Sequence, residues 1–343
     1  MNWELYKKSF IQKYSANKID IDSQIILLKY AKSLFDAQLP IIYNIEHFSL
    51  LVGYQDFLLY NICFSKEKYY HTFYILKRNG KKRQINEPYP TLKEIQYWIM
   101  NNILKERNIS KYAKAYVPNA GIIDNVKFHK NQNVIIKLDI KNFFDSITFK
   151  DIYTIYRQFG YTKNVSHLLA NLCTLNNRLP QGSPCSPILS NIFFKSIDER
   201  IGAYLRSLNY RYTRYSDDIT ISGDIKNEQI HAIICFIEKI LNEKDLRLNK
   251  SKTKILRKNH CQYVTGVVLN NKISAGNKYK KSLRQEIHFI KKFGLENHMQ
   301  HENINKQNYI FHLMGKINWV LYLEKNNKEF IEYKDFLKRY LNT

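Results

Sequence analysis

Three aspartates carry the chemistry open to this chain. Asp217 and Asp218 are adjacent in RYTRYSDDITISG, between two short β-prone runs, and Asp139 lies near the end of the upstream run VIIKLDI. Carboxylates are hard oxygen donors, and three brought together by a fold can hold two divalent cations. Two such ions can activate a hydroxyl and clamp the attacking and leaving oxygens of an in-line displacement, as phosphodiester synthesis requires. Each aspartate also has an ordinary reading. An Asp-Asp pair in a loop is commonly a solvated turn, and a lone aspartate can cap a helix. The ordered trio, with LPQGSPCSPILSN between Asp139 and Asp217, favours the metal reading.

The elements around these residues must position them. Val134 to Ile140 is almost continuously apolar, interrupted by Lys137, which suits a strand buried on both faces. A carboxylate there is costly to bury unless it is paired or metal-bound. Tyr215-Ser216-Asp217-Asp218 fits a tight turn whose tip would present both aspartates, and a cation would relieve their mutual repulsion. Between the two strand regions the chain reads as helices (ITFKDIYTIYRQF, SHLLANLCTL), a proline-rich turn at 180–187, and a helix from about Ile188 through Leu208. After the hairpin come the helix NEQIHAIICFIEKILNE, the short strands KTKILR and QYVTGVVLN, and lysine-rich helix beyond Ala275.

Upstream, residues 1 to about 65 read as helical, with SQIILLKYAKSLF capped by Ser23 and further helix around Gly53. YYHTFYILKRNGKKRQINEP reads as two strands joined at Asn79-Gly80. TLKEIQYWIMNNIL returns to helical periodicity, with Ile95, Ile99 and Ile103 on one face.

The 343 residues exceed what one core usually needs, so two or three subdomains are expected. With 54 Lys and Arg against 30 Asp and Glu, the net charge of +24 favours a polyanionic partner, because each neutralised phosphate releases a counterion. A basic face on an unrelated soluble protein would give the same count. Most of the 26 Tyr and 19 Phe are expected in the core, although rings among Lys and Arg can stack on bases. The five cysteines form no CxxC pair, which argues against a disulfide framework or a zinc site and suits a reducing cytoplasm. No apolar run approaches a membrane span, and MNWELYKKSF lacks a signal-peptide core. A soluble, cytoplasmic protein is expected.

With these residues in order, the chain resembles a reverse transcriptase. LDIKNFFDSI matches the family's motif A, LPQGSPCSPILSN its motif B, and YSDD the Y-x-D-D of motif C. The resemblance implies an α+β right-hand polymerase: fingers, a palm with an antiparallel sheet packed on helices, and a helical thumb, here with a helical N-terminal extension. The expected divisions are 1–65 for the extension, 66–260 for fingers and palm, and 261–343 for primer-grip strands and the basic thumb. Asp139, Asp217 and Asp218 are then implied to bind two magnesium ions, with dNTPs as substrates. Phe144 stands where the family places the ring that crowds a ribose 2′-OH; otherwise it is a core phenylalanine. Gln181 and Gly182 match residues at the incoming nucleotide, or are simply turn residues. Arg83 matches the fingers arginine on the triphosphate, or is an exposed strand charge. Lys252, in NKSKTK, resembles the motif D lysine near the leaving phosphates, or belongs to a solvated basic turn.

Within that family the chain is most similar to the bacterial retron enzymes, from about Tyr43 into the C-terminal helices. Asn125-Val126-Lys127-Phe128-His129 matches their NAxxH element, with Val in place of Ala, and Val264-Thr265-Gly266 matches their VTG. The resemblance implies RNA-binding roles for Asn125, His129, Val264, Thr265 and Gly266. Lys280, Lys281 and Arg284, on a lysine-rich helix, are candidates for duplex phosphates, or form a solvated face. The implied partners are a structured noncoding RNA and its branched msDNA product, started from the 2′-OH of a guanosine, and a separate effector protein in antiphage defence. The alternatives are a group II intron-like or abortive-infection reverse transcriptase, or an RNA-binding scaffold whose catalysis is dispensable.

Overall fold

In the computed structural model, which describes residues 2–16, 20–77, 80–304 and 308–341, the chain divides into two units. The first comprises Met1–Tyr116, Lys141–Arg200 and Leu241–Arg247; the second comprises Val117–Ile140, Ile201–Ile240 and Leu248–Thr343. The units do not follow the cuts expected at residues 65 and 260, because the chain passes between them repeatedly.

The first unit opens with helices Trp3–Ala16, Ile21–Asp36, Ile45–Val52 and Asp56–Phe64. Asp20, not Ser23, caps the second of these. Its carboxylate accepts from the Ser23 amide at 2.7 Å, satisfying one of the donors a helix start leaves unpaired. Gly53, with φ of 76°, ends the third helix in the left-handed conformation that spares glycine a Cβ clash, so the expected continuous helix becomes two. Strands β1 (Tyr70–Leu76) and β2 (Lys82–Pro88) pair antiparallel, from Tyr70 opposite Pro88 to Leu76 opposite Lys82. Asn79, expected in their turn, lies outside the described residues. Helix Pro90–Ile99 buries Leu92, Ile95, Gln96 and Ile99. Helix Phe149–Gln158 starts from a reciprocal cap in which Thr148 and Asp151 bond each other's amides.

The second unit is built on an antiparallel sheet of β3 (Val134–Asp139), β4 (Arg211–Tyr215), β5 (Asp218–Gly223) and β6 (Lys254–Arg257), in the order β4-β5-β3-β6. Central β3 is buried along nearly its whole length, as its apolar run requires. A short hairpin of β7 (Tyr263–Val264) and β8 (Val267–Val268) follows. Its Val264 and Val267 share a small apolar cluster with Val126, Ile135 and Leu269. Helices Asn277–Phe293, Tyr309–Leu323 and Lys328–Lys338 bury Leu283, Ile287, Leu313, Ile317 and Phe330 in a core of their own. The α+β class, the helical N-terminal region and the antiparallel sheet are those of a right-hand polymerase. Among the described residues no helix is long and apolar enough to cross a membrane.

The register fixes which side chains share a face, because alternate residues of a strand point the same way. Asp139 stands opposite Asp218, which stands opposite Tyr215. Two residues along, the same face presents Lys137, Thr220 and Thr213; two further, Ile135, Ser222 and Arg211.

Candidate active site

The carboxylates occupy the end of that face. β4 ends at Tyr215 and β5 starts at Asp218, so Ser216 and Asp217 are the whole turn. Ser216 has φ of 60°, a left-handed position where glycine is usual. Two donors hold the turn. The buried guanidinium of Arg214 donates to the Ser216 carbonyl at 3.1 Å, and the Ile140 amide donates to the Asp217 carbonyl at 2.9 Å. Asp139 is 6% exposed, and its carbonyl accepts from the Asn249 amide at 2.7 Å, which draws the following segment alongside.

That segment delivers Lys252, whose ammonium donates to Asp139 Oδ2 at 2.6 Å. Burial lowers the lysine's proton affinity, but the Asp139 hydrogen bond and charge outweigh it and hold Lys252 above its ordinary value. Burial, then the charges of Asp217 and Asp139, pushes Asp218 up to about 6, against the opposing pull of Lys137 and Lys252. The three carboxylates therefore sense one another. Among the described residues no three acidic, His or Cys side chains converge closely enough to hold an ion, and one Asp139 oxygen is taken by Lys252. The donor set itself, three carboxylates on paired strands and their turn, suits a hard divalent cation once the lysine withdraws.

In the first unit, Gln181 and Gly182 dock on β2, the strand that carries Arg83. The Asn86 amide donates to the Gln181 carbonyl at 2.7 Å. A Cβ on Gly182 would stand 2.6 Å from the Asn86 carbonyl, and φ there is 126°, so only glycine fits. Arg83 is exposed, opposite Ile75. Phe144 is half-buried, edge-on to buried Phe143 with centroids 5.1 Å apart and 6.2 Å from the Tyr116 ring. It is the more accessible of the two phenylalanines.

One residue that organises this region was not singled out in the sequence. Gln96 is fully buried; its amide donates to Tyr70 Oη at 2.9 Å and to the Leu172 carbonyl at 2.8 Å, and its carbonyl oxygen accepts from Ser183 Oγ at 2.8 Å. Cys185 Sγ donates to its backbone carbonyl at 3.0 Å. Gln96 thus ties the LPQGSPC turn to β1. The signal was available, since a glutamine at a stripe position between Leu92, Ile95 and Ile99 must be buried and needs partners.

Asn125 and His129 are both fully buried, so the expectation that these side chains touch RNA is revised. His129 lies 2.8 Å from Ser222 Oγ through Nδ1 and 2.8 Å from Thr213 Oγ1 through Nε2, and Thr213 Oγ1 donates to Asn125 Oδ1 at 2.6 Å. The donor sequence that satisfies both ring nitrogens and both hydroxyls puts the ring proton on Nε2, with Ser222 donating to Nδ1, and leaves Asn125 Nδ2 without a partner among the described residues. Burial, reinforced by the charge of Arg211, pushes His129 down to about 3, so the ring is neutral.

The Val264-Thr265-Gly266 segment is the turn of the β7–β8 hairpin. Thr265 has φ of 46° and Gly266 of 83°, and Val264 is fully buried. A β-branched residue in the left-handed region is strained, and Thr265 Oγ1 is buried without a hydrogen-bond partner among the described residues.

The three basic residues separate. Lys280 is buried, on the stripe with Leu283, Ile287 and Ile290, and its ammonium meets both Glu324 oxygens at 3.0 Å. It is a core ion pair, and the expectation of a phosphate contact is corrected. Arg284 is exposed but engaged bidentately by Glu329 at 2.6 and 2.7 Å. Lys281 is exposed to solvent.

Comparison with known proteins matches residues 75–269 to the family model described as reverse transcriptase (RNA-dependent DNA polymerase). The chain is 28% identical over 305 residues to the retron Ec86 reverse transcriptase of Escherichia coli, covering 88% of this chain and 91% of that protein. It is 30% identical over 281 residues to the retron Ec83 reverse transcriptase of the same organism, covering 78% and 86%. A third relative, the retron Mx65 reverse transcriptase of Myxococcus xanthus, is 30% identical over 241 residues, covering 64% of this chain and 56% of that protein.

Proposed function

The chain belongs to the bacterial retron reverse transcriptases, and from that premise we propose that it copies part of a cognate structured RNA into DNA at Asp139, Asp217 and Asp218. The observation that carries this reading is the register, which sets Asp139 directly opposite Asp218 with Asp217 in the adjoining turn. Those three carboxylates would hold the two magnesium ions. The ions, when bound, supply an activated primer hydroxyl and charge neutralisation at the phosphate.

The chain's own residues do the rest. Lys252 balances the charge of Asp139, and on release from it would be placed to face the leaving phosphates. Gln181 and Gly182, held on β2, and Arg83 on the same strand serve the incoming dNTP, and Phe144 crowds a ribose 2′-OH. The strained turn of the β7–β8 hairpin, exposed at Gly266, is the feature that supports cognate-RNA recognition there. Exposed Lys281 adds attraction to phosphates. By likeness to the retron enzymes, the product is msDNA branched from a guanosine 2′-OH, made in the cytoplasm and used with a separate effector in antiphage defence.

The test is to express the protein with its adjacent noncoding RNA and treat the purified nucleic acid with RNase. DNA carrying a short RNA remnant, released by a debranching enzyme, is expected. A product with a free 5′ end would leave reverse transcription standing and remove the branched-product reading.

A further inference from the structure

The segment Asn125–His129 is fastened to the catalytic hairpin by side chains, and at both of its strands. His129 reaches Thr213 on β4 and Ser222 on β5, Asn125 reaches the same Thr213, and Arg211 Nη1 donates to the Phe128 carbonyl at 2.7 Å. Thr213 and Ser222 lie on the sheet face that presents Asp139 and Asp218. At roughly 3.3 Å per residue, these anchors stand about 7 and 13 Å along the strands from the carboxylate row.

We propose that His129, supported by Asn125, is a positioning residue for the reaction: it bridges β4 to β5 and so fixes the relative twist and shear of the strands whose turn carries Asp217 and Asp218. The proposal rests on the polymerase reading of that site. A backbone ladder sets the spacing of two strands but leaves their twist soft. A planar ring bonded to both strands stiffens that freedom. A group that merely filled the space would be apolar: Asn125 Nδ2 is left without a partner among the described residues, but the ring and both hydroxyls are bonded, and only such bonds recover the desolvation that burying them costs. Val126, between the two polar residues, packs with Val264 and Ile135, which anchors the segment from its other side.

The experiment compares His129→Leu, which keeps volume without bonds, His129→Gln, which can keep the Thr213 bond, and the near-isosteric Thr213→Val. Each full-length variant is assayed on poly(rA)·oligo(dT) with magnesium and dTTP, for kcat and KM separately, alongside its melting temperature and its affinity for the cognate RNA. His129→Leu loses the bonds to Thr213 and Ser222, and Thr213→Val those to His129 and Asn125, which predicts a fall in kcat of at least about ten-fold for each, with KM and RNA affinity nearly unchanged and partial rescue in His129→Gln. If His129→Leu does not fold, Thr213→Val decides. Wild-type kcat in the variants overturns the proposal. So does a loss that vanishes when each variant is assayed well below its own melting temperature, or a loss confined to cognate-RNA affinity. A wild-type enzyme that cannot extend this primer refutes the polymerase reading itself, and that failure shows before any variant is compared.

Discussion

The two hairpins of the second unit are built alike and finished differently. Both turn in two residues, and both place a non-glycine residue at a left-handed first position: Ser216 at φ of 60° and Thr265 at 46°. The β4–β5 turn is braced at its carbonyls by Arg214 and Ile140 and along its strands by His129. The β7–β8 turn has no such brace on its side chain; Thr265 Oγ1 is buried and unpaired among the described residues, and a Cβ on Gly266 would meet nothing within 4 Å. Strain in a turn held at both carbonyls suits a site that must not move during chemistry. Strain in a turn that lacks such a brace and is exposed at Gly266 suits a surface that meets a partner.

The largest effect should come from the braced turn. Replacing Asp217 and Asp218 together by Asn keeps the shape and removes the charge that would hold the cations. DNA synthesis should fall to background while melting is retained, because the repulsion between the two carboxylates is removed as well. Extension at the wild-type rate by this double variant would break the assignment of the hairpin to chemistry.

The brace should also be visible in acid. The unfolded chain binds a proton on His129 near the ordinary 6.5, whereas the folded chain resists protonation until about 3. Between those values the unfolded state holds more protons, so stability is intact above pH 6.5 and is lost as pH falls below it. From pH 6.5 to 5 this single group costs about 2 kcal/mol. Urea unfolding of wild type and His129→Gln at both pH values measures it. An equal acid sensitivity in the variant would mean His129 is not the buried neutral ring.

Relieving the two turns sharpens the contrast further. Glycine removes about 1 kcal/mol or more of left-handed strain but adds roughly 0.5–1 kcal/mol of unfolded-state entropy. For Ser216→Gly these nearly cancel, and activity should stay within about two-fold. For Thr265→Gly the β-branched strain is larger, so melting should rise slightly. Affinity for cognate RNA should nevertheless fall by about five-fold, because a looser glycine turn must be ordered on binding, and Thr265→Ser, which keeps a Cβ, should restore part of it. Unchanged RNA affinity in Thr265→Gly would make the turn structural only.

What the sequence disclosed follows the same divide between local and long-range causes. The aspartates, the turn at Ser216-Asp217 and the buried strand of Asp139 were legible, because residue type and period-two burial are local. The pairing of Asp139 with Asp218 was not, nor the bond from Lys252 to Asp139, since each depends on register set across a long stretch of chain. Asn125 and His129 were assigned to RNA through the resemblance to the retron NAxxH element, which carries no information on burial; their partners, Thr213 and Ser222, lie far along the chain. Lys280 was misjudged for a more local reason. Its place three residues before Leu283 and seven before Ile287 already put it on the apolar stripe, where a lysine must be paired.

The smallest expected effect separates Lys281 from Lys280 on the helix that begins beside β8, where Ser274 pairs with Val268. Lys281 is exposed, so Lys281→Gln removes one potential phosphate contact. The log–log salt dependence of duplex binding should flatten by roughly one unit, with melting unchanged. Lys280→Gln should do the reverse. It leaves the largely buried Glu324 with the Asn327 amide at 3.3 Å and Lys272 at 3.7 Å but without its close ion pair, and breaking such a pair costs about 3 kcal/mol, while the salt slope of the folded protein stays put. A salt titration of both variants decides which lysine faces nucleic acid. If Lys280→Gln flattens the slope and Lys281→Gln does not, the helix presents a different side to RNA than its packing indicates.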